Sequence, residues 1–348
     1  MSAASCVLMC EDGSTLFEKD ADTHRLIAST TKLMTALVCL ENADLDDTVT
    51  ASVRHCAVEG SSMYLRVGER YTVRELLLGL LLASGNDAAL ALAEHTAGSE
   101  AAFVRLMNDK ARSLGLADTH FENPHGLDAD GHFSTARDLA RLMLACMENP
   151  VFRELDARRS ADVKGQILVN HNKLLTRCPG CVGGKTGYTM AAGRCLVSCC
   201  EREGLRLVCV SIEDPDDWDD HAGLYDWAYG HYALRRLSDV LGYEVPVITG
   251  SRKTVRAVPP GCARAVLPKR GEPETLVELP RFVFAPVESG ERAGSVSLWR
   301  NGKRDLLVIL TSNISLKNAY PTREIVPFFY HIIQFPGCNR CKRKRSCS

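Results

Sequence analysis

The chain has 348 residues, 45% hydrophobic and 24% charged, an ordinary soluble composition long enough for two cores. Its 42 basic and 43 acidic residues leave a formal net charge of -1, which argues against nucleic acid as the main partner. Fifteen cysteines are many, yet their odd number and scatter do not read as a disulfide framework.

Residues 6–10 and 15–18 flank Glu11-Asp12-Gly13-Ser14 and predict an N-terminal hairpin. Ser29 then closes a loop, and the apolar period over 30–41 predicts a helix with Leu33, Leu37 and Leu40 on one face. Ser29 and Lys32 are three residues apart there, so hydroxyl and amine can meet. Ser29 also stands at the helix N-terminus, where unpaired N–H groups favour developing negative charge. A serine N-cap followed by a solvated lysine would explain the same four residues.

Residues 75–83 and 88–94 predict two buried helices, broken by Ser84-Gly85-Asn86. A turn in which Asn86 or Asp87 caps the second helix is a sufficient reason for the break. Helical patterning continues over 101–114 and 135–147. Gly180, Gly183 and Gly184 precede Lys185-Thr186-Gly187-Tyr188, and β-rich runs over 194–200 and 205–212 follow. An edge strand at this point would let Lys185 and Thr186 face a ligand while the backbone pairs with an extended peptide. A last amphipathic helix is predicted over 219–237, with Leu224, Trp227 and Leu234 inward. The acidic run over 213–220 reads as capping of its start, because Trp218 stands where a calcium loop needs an oxygen ligand.

Strands at both ends of residues 1–240 with helices between them predict an α+β fold, one sheet built from the two extremes and covered by a helical cluster. From about Val245 seven prolines punctuate short runs, which predicts a small all-β sandwich domain over 245–320. The tail, 321–348, carries an apolar stretch over 325–335 and then Arg340, Lys342, Arg343, Lys344 and Arg345. It reads either as a segment lying on an anionic membrane surface or as a solvated tail, and it is too short to span.

Ser29-Thr30-Thr31-Lys32, Ser84-Gly85-Asn86 and Lys185-Thr186-Gly187 are each weak signals alone. In this order they resemble the motif trio of penicillin-recognising serine enzymes, whose middle member is usually Ser-Asp-Asn. The similarity extends through Asn123-Pro124-His125-Gly126-Leu127-Asp128, His132-Phe133-Ser134-Thr135-Ala136 and Asn172-Lys173-Leu174-Leu175, and covers residues 6–237, more loosely to 316. The chain resembles the low-molecular-weight penicillin-binding proteins, serine-type D-alanyl-D-alanine carboxypeptidases of peptidase family S11. Val182 departs from the acidic residue usual in that family and Gly184 from an aliphatic one.

The resemblance implies a penicillin-binding/β-lactamase-like catalytic domain over 1–240 and cleavage of the terminal peptide bond of stem peptides ending in D-Ala-D-Ala. It implies Ser29, Lys32 and Ser84 as catalytic residues: nucleophile, general base and proton relay. It further implies that Asn86, Lys185, Thr186, Gly187 and Tyr188 bind substrate, that β-lactams inhibit covalently, and that no metal or cofactor takes part. To act as a base Lys32 must be neutral; moving it from ~10.4 to near ~7 requires roughly 4–5 kcal/mol, from burial and a neighbouring cation such as Lys185. Chemistry on the cell wall lies outside the cytoplasm, so a leader is expected that this chain does not display. His125 and His171 are expected to be structural.

Other readings stay open at this level. A β-lactamase would use the same parts, and a D,D-endopeptidase would cut cross-links with them. A non-enzymatic peptidoglycan-binding protein would keep the cleft without covalent capture. Cys178-Pro179-Gly180-Cys181 and the later pair Cys338 and Cys341 have the spacing of a redox or zinc module. Gly180, Gly183 and Gly184 oppose the helix that a thioredoxin-like site requires after Cys178.

Overall fold

The structure is a computed structural model and describes residues 1–261, 263–270, 274–300 and 303–317. The chain divides into two units, one of Met1–Arg235 with a returning stretch from Ala265, the other beginning with Arg236–Arg264 and resuming after residue 273.

In the first unit an antiparallel five-stranded sheet runs in the order Thr15–Lys19, Ser5–Cys10, Leu205–Ile212, Gly193–Arg202, Cys181–Thr189. The first strand of the chain thus pairs with the last of the group, Ser5 opposite Ile212 and Cys10 opposite Leu207. Every residue of Ser5–Cys10 is buried, because both sheet faces are covered. Val7, Met9, Val197, Val208 and Val210 face the helical cluster, while the alternating Cys6, Leu8, Leu196, Leu207 and Cys209 face the opposite layer. Buried thiols serve here as small hydrophobes.

The helix Lys32–Asn42 runs through the middle of the cluster and is buried from Lys32 to Cys39. Around it pack Val73–Leu82, Asn86–Ala97, Glu100–Ser113, Ala136–Glu148 and Pro150–Asp156. Their starts follow local chemistry. Thr72 and Glu75 form a reciprocal capping box, Ser99 and Thr135 cap the helices they precede, and Asn149 caps a helix that opens on Pro150.

The opposite layer corrects one expectation. Its helix spans Asp217–His231 rather than 219–237, and Tyr232–Arg236 continues as a strand. The inward residues are His221, Tyr225, Ala228 and Tyr229, whereas Trp227 is exposed and Leu224 and Leu234 are only partly buried. The sheet presents polar atoms on this side. His221 lies 2.7 Å from Ser198 Oγ and 3.0 Å from Ser211 Oγ. Tyr225 donates to the Ser198 carbonyl at 2.8 Å and accepts from the Cys209 N–H at 3.2 Å. A face that buries hydroxyls and an imidazole does not register as an apolar stripe.

The second unit holds a curled six-stranded sheet in the order Glu274–Glu278, Arg292–Arg300, Lys303–Ser312, Thr254–Val258, Tyr243–Ile248, Val283–Phe284. Only the final pairing, of Val247 with Val283, is parallel. Val245, Val255, Ala257, Val296 and Leu310 are buried in it. The tail over 321–348, with Cys338 and Cys341, lies outside the described residues. No helix among the described residues is long and apolar enough to cross a membrane.

Tyr225 is fully buried and satisfies two backbone groups with one oxygen. Tyr225→Phe leaves both without that partner, so stability measured in guanidinium is expected to fall by about 1–3 kcal/mol. Unchanged stability would show that the polar layer does not hold this helix.

Candidate active site

Ser29 lies in a single 3-10 turn, Ala28–Thr31, which feeds directly into the helix Lys32–Asn42. The turn is tight enough to hold Ala28 at a φ of +47°, a conformation rare for a residue with a Cβ. Thr30 and Thr31 brace it by donating their hydroxyls to the Ile27 and Ala28 carbonyls at 2.7 and 2.8 Å. Two glycines let neighbouring segments close on it. A Cβ at Gly126 would run into the Ala28 carbonyl, and one at Gly187 would lie 3.0 Å from the Ser29 nitrogen.

Lys32 is fully buried, one turn from Ser29. Its Nζ donates to Asn86 Oδ1 at 2.7 Å and to the His125 carbonyl at 2.6 Å, and lies 2.8 Å from Ser29 Oγ. The first two partners can only accept. A neutral amine spends its two hydrogens on them and turns its lone pair toward the serine hydroxyl. Burial, followed by repulsion from Lys185, pushes the Lys32 amine well below the usual lysine range. Burial and the neighbouring lysine also pull His125 down to about 3, and burial pulls His132 to about 4, so neither ring adds positive charge at neutral pH.

The loop at Ser84 brings the second hydroxyl in. Ser84 takes a left-handed φ of +58°, and its Oγ accepts from Lys185 Nζ at 2.9 Å. Lys185 also donates to the Thr186 carbonyl at 2.8 Å and is 1% exposed. Burial pushes its amine down to about 7, against the pull of the Asp156 carboxylate. Asp156 is itself buried and pushed up to about 7, and its Oδ2 accepts from the Gly184 N–H at 2.6 Å. A Cβ at Gly183 would collide with that oxygen, so glycine here admits the carboxylate beneath the strand.

Asn86 and Asp87 do more than start a helix. Gly85 is the N-cap of Asn86–Ala97 and no side chain caps it, which corrects the capping reading. Asn86 divides its amide between Lys32 and the Glu59 carbonyl, the latter at 2.7 Å. Asp87 accepts from Ser62 Oγ and from the N–H groups of Met63 and Leu65, and so fixes the loop that faces Asn86.

A cleft of about 300 Å³ lies along the edge strand Cys181–Thr189, with Ser29, Ser84, Thr186, Gly187 and Tyr188 on its walls. Lys32, Asn86 and Lys185 lie just beneath it, so all eight residues singled out from the sequence converge. Tyr188, on the cleft wall, is 65% exposed. Arg194, Asp217 and Trp218 line one end, with Arg194 donating to both Asp217 oxygens at 2.6 and 2.8 Å. Sequence reasoning missed these three, and also Asp156 and the His125 carbonyl. The acidic run containing Asp217 was visible but read as capping. A lone aspartate at a helix end such as Asp156 offers no pattern, and a carbonyl offers none at all.

The family model for D-alanyl-D-alanine carboxypeptidase, peptidase family S11, matches residues 1–216. The carboxypeptidase DacB2 of Mycobacterium tuberculosis is 42% identical over 231 residues, 63% of this chain and 79% of that relative. DacF of Bacillus subtilis, also named a D-alanyl-D-alanine carboxypeptidase, is 32% identical over 321 residues, 86% of this chain and 82% of its own length. Among solved structures, penicillin binding protein 5 from Haemophilus influenzae superposes with a TM-score of 0.74 at 26% identity, covering 91% of this chain and 98% of that one. With the match spanning more than half of its length, the chain belongs to the D-alanyl-D-alanine carboxypeptidase family of serine peptidases, S11.

Proposed function

We propose that this chain removes the terminal D-alanine of peptidoglycan stem peptides through an acyl-enzyme on Ser29, working on the cell-wall side of the bacterial membrane. The observation that carries the assignment of roles is the hydrogen-bond arithmetic at Lys32, whose two fixed acceptors leave its lone pair to Ser29 Oγ. Lys32 takes the Ser29 proton as Oγ attacks the penultimate D-Ala carbonyl. The developing oxyanion is held by the backbone N–H groups of Ser29 and Tyr188, each donor being worth typically about 2.7–4 kcal/mol. The proton that Lys32 took from Ser29 reaches the departing amine through the Ser84 hydroxyl, which returns Lys32 to its neutral form, while Lys185 keeps its charge and holds Ser84 Oγ at 2.9 Å. Lys185 and Thr186 grip the free carboxylate, which makes a free C-terminus a requirement. Asn86 holds both Lys32 and the substrate amide, and Gly187 gives the strand its close approach to the nucleophile. Water then hydrolyses the ester with Lys32 again as base.

A β-lactam imitates the dipeptide, acylates Ser29 and keeps its tethered leaving group in place, so deacylation is slow. A label from fluorescent penicillin that persists for many turnover times separates this reading from a β-lactamase. The second unit is proposed as a spacer or docking module, and membrane contact through the tail as a further expectation of the family.

Intact-protein mass spectrometry after penicillin treatment is expected to show one acyl adduct, lost in Ser29→Ala. An adduct retained by that variant would remove Ser29 from the role. Ser84→Ala is expected to lower the acylation rate by about 100- to 10,000-fold with little change in binding, as loss of a positioned proton relay does.

The pH dependence has a defined sign. Acylation needs Lys32 neutral, so the rate rises with pH as that amine loses its proton. It needs Lys185 charged, so the rate falls as Lys185 titrates at about 7. Because Asp156 favours the charged form of Lys185, Asp156→Asn is expected to move the alkaline limb to lower pH. A limb that stays in place or moves upward would contradict this coupling.

A further inference from the structure

Three cysteines meet where the polypeptide enters the catalytic strand. Cys178 ends the single-turn helix Leu174–Arg177, Pro179 and Gly180 form an exposed turn, and Cys181 opens the strand Cys181–Thr189. Cys181 pairs in register with Cys200 on the neighbouring strand. Cys178 and Cys200 both donate their thiols to one acceptor, the Pro179 carbonyl, at 3.8 and 3.4 Å. Both belong to the layer beneath the sheet, whereas Cys195 and Cys199 face the helical cluster. Arg202 reaches into the same place. Its Nε donates to the Pro179 carbonyl at 2.8 Å and its Nη2 to Cys178 Sγ at 3.4 Å, while Asp226 and the Tyr229 ring hold the guanidinium.

We propose that Cys178 and Cys200 form a thiol–disulfide exchange site, which a low-molecular-weight disulfide oxidises to a covalent bond between the Pro179–Gly180 turn and the strand Gly193–Arg202. The two thiols differ in readiness. The neighbouring Cys200 thiol, with help from Arg202, lowers Cys178 to about 7, while Cys200 is raised by its neighbour and by burial. Cys178 is therefore the attacking thiolate and Cys200 the resolving thiol. Cys178 is 5% exposed beneath the exposed Pro179–Gly180 turn, so the reagent called for is a small disulfide and not a folded protein. Cys181 is the poorer partner because its thiol is engaged with Asn172 and the Gly183 carbonyl, whereas Cys200 shares the Pro179 carbonyl with Cys178.

The exchange balances in two steps. Cys178 thiolate attacks one sulfur of the external disulfide, forms a mixed disulfide and expels one thiolate, which takes up a proton. Cys200 then gives up its proton, attacks the Cys178 sulfur and expels the second small thiolate, which is protonated in turn. Two electrons pass from the protein to the external disulfide, which leaves as two thiols; one proton comes from Cys200 and the other, shed by Cys178 on forming its thiolate, returns from solvent.

The test is peptide mapping of the full chain after incubation with oxidised glutathione and quenching in acid. Trypsin cuts after Arg177, Lys185, Arg194 and Arg202, so Cys178 and Cys181 share the peptide 178–185 and Cys200 lies in 195–202. The expected product without reduction is these two peptides joined, with fragmentation placing the link at Cys178 and Cys200. A loop closed within 178–185, a glutathione retained on Cys178 in the wild-type chain, or two unmodified cysteines would overturn the proposal. Cys200→Ser is expected to stop at the mixed disulfide on Cys178, and Cys181→Ser to cross-link as the wild type does, with circular dichroism checking the fold of each. Loss of the cross-link in a folded Cys181→Ser would also overturn it. These readouts do not depend on peptidase activity.

Discussion

Two lysine side chains are buried next to one another in this protein, and neither has a carboxylate in hydrogen-bonding contact among the described residues. Isolated buried ammonium groups are costly, and the structure answers the cost by lowering the affinity of both amines for protons. The repulsion is useful because it falls unequally. At Lys32 burial and repulsion from Lys185 outweigh the pull of Asp87, and Lys185 has Asp156 beneath its strand. In the proposed mechanism one lysine is the base while the other retains a claim to its charge. The proposed nucleophile, relay and carboxylate grip all rest on that difference.

The fold serves this arrangement by supplying rigid walls from distant parts of the chain. Lys32 projects from a helix with eight consecutive buried residues, so its amine is positioned by packing on every side. Lys185 comes from a sheet edge whose partner strands lie at both ends of the first unit. The 3-10 turn at Ser29 is held between Gly126 and Gly187, and a side chain at either would push it from the amine. Strain at Ala28, held at a positive φ, is maintained by these contacts.

Much of this was legible before the fold was known. The hairpin signals at 6–18 and 194–212 marked strands at the two extremes, and the apolar period between them marked the helices. Ser29, Lys32, Ser84, Asn86 and Lys185 were legible through the resemblance of three short motifs, in their order, to those of penicillin-recognising serine enzymes. What stayed hidden was chemistry carried by single residues or by backbone. Asp156 touches the catalytic strand through a glycine amide, which no spacing announces. His125 contributes its carbonyl rather than its ring. The helix Asp217–His231 buries a histidine and two tyrosines, so a search for apolar stripes turned it the wrong way and set Trp227 inside.

The central claim is that Lys32 carries no proton at the pH where the protein works. Nuclear magnetic resonance of protein labelled with carbon-13 at lysine Cε reads the protonation of each amine directly, with Lys32→Met assigning the signal. The account predicts that Lys32 is already neutral near pH 7, far below the ordinary lysine titration. A Lys32 signal that keeps its ammonium position until about pH 10, where free lysine titrates, would contradict it.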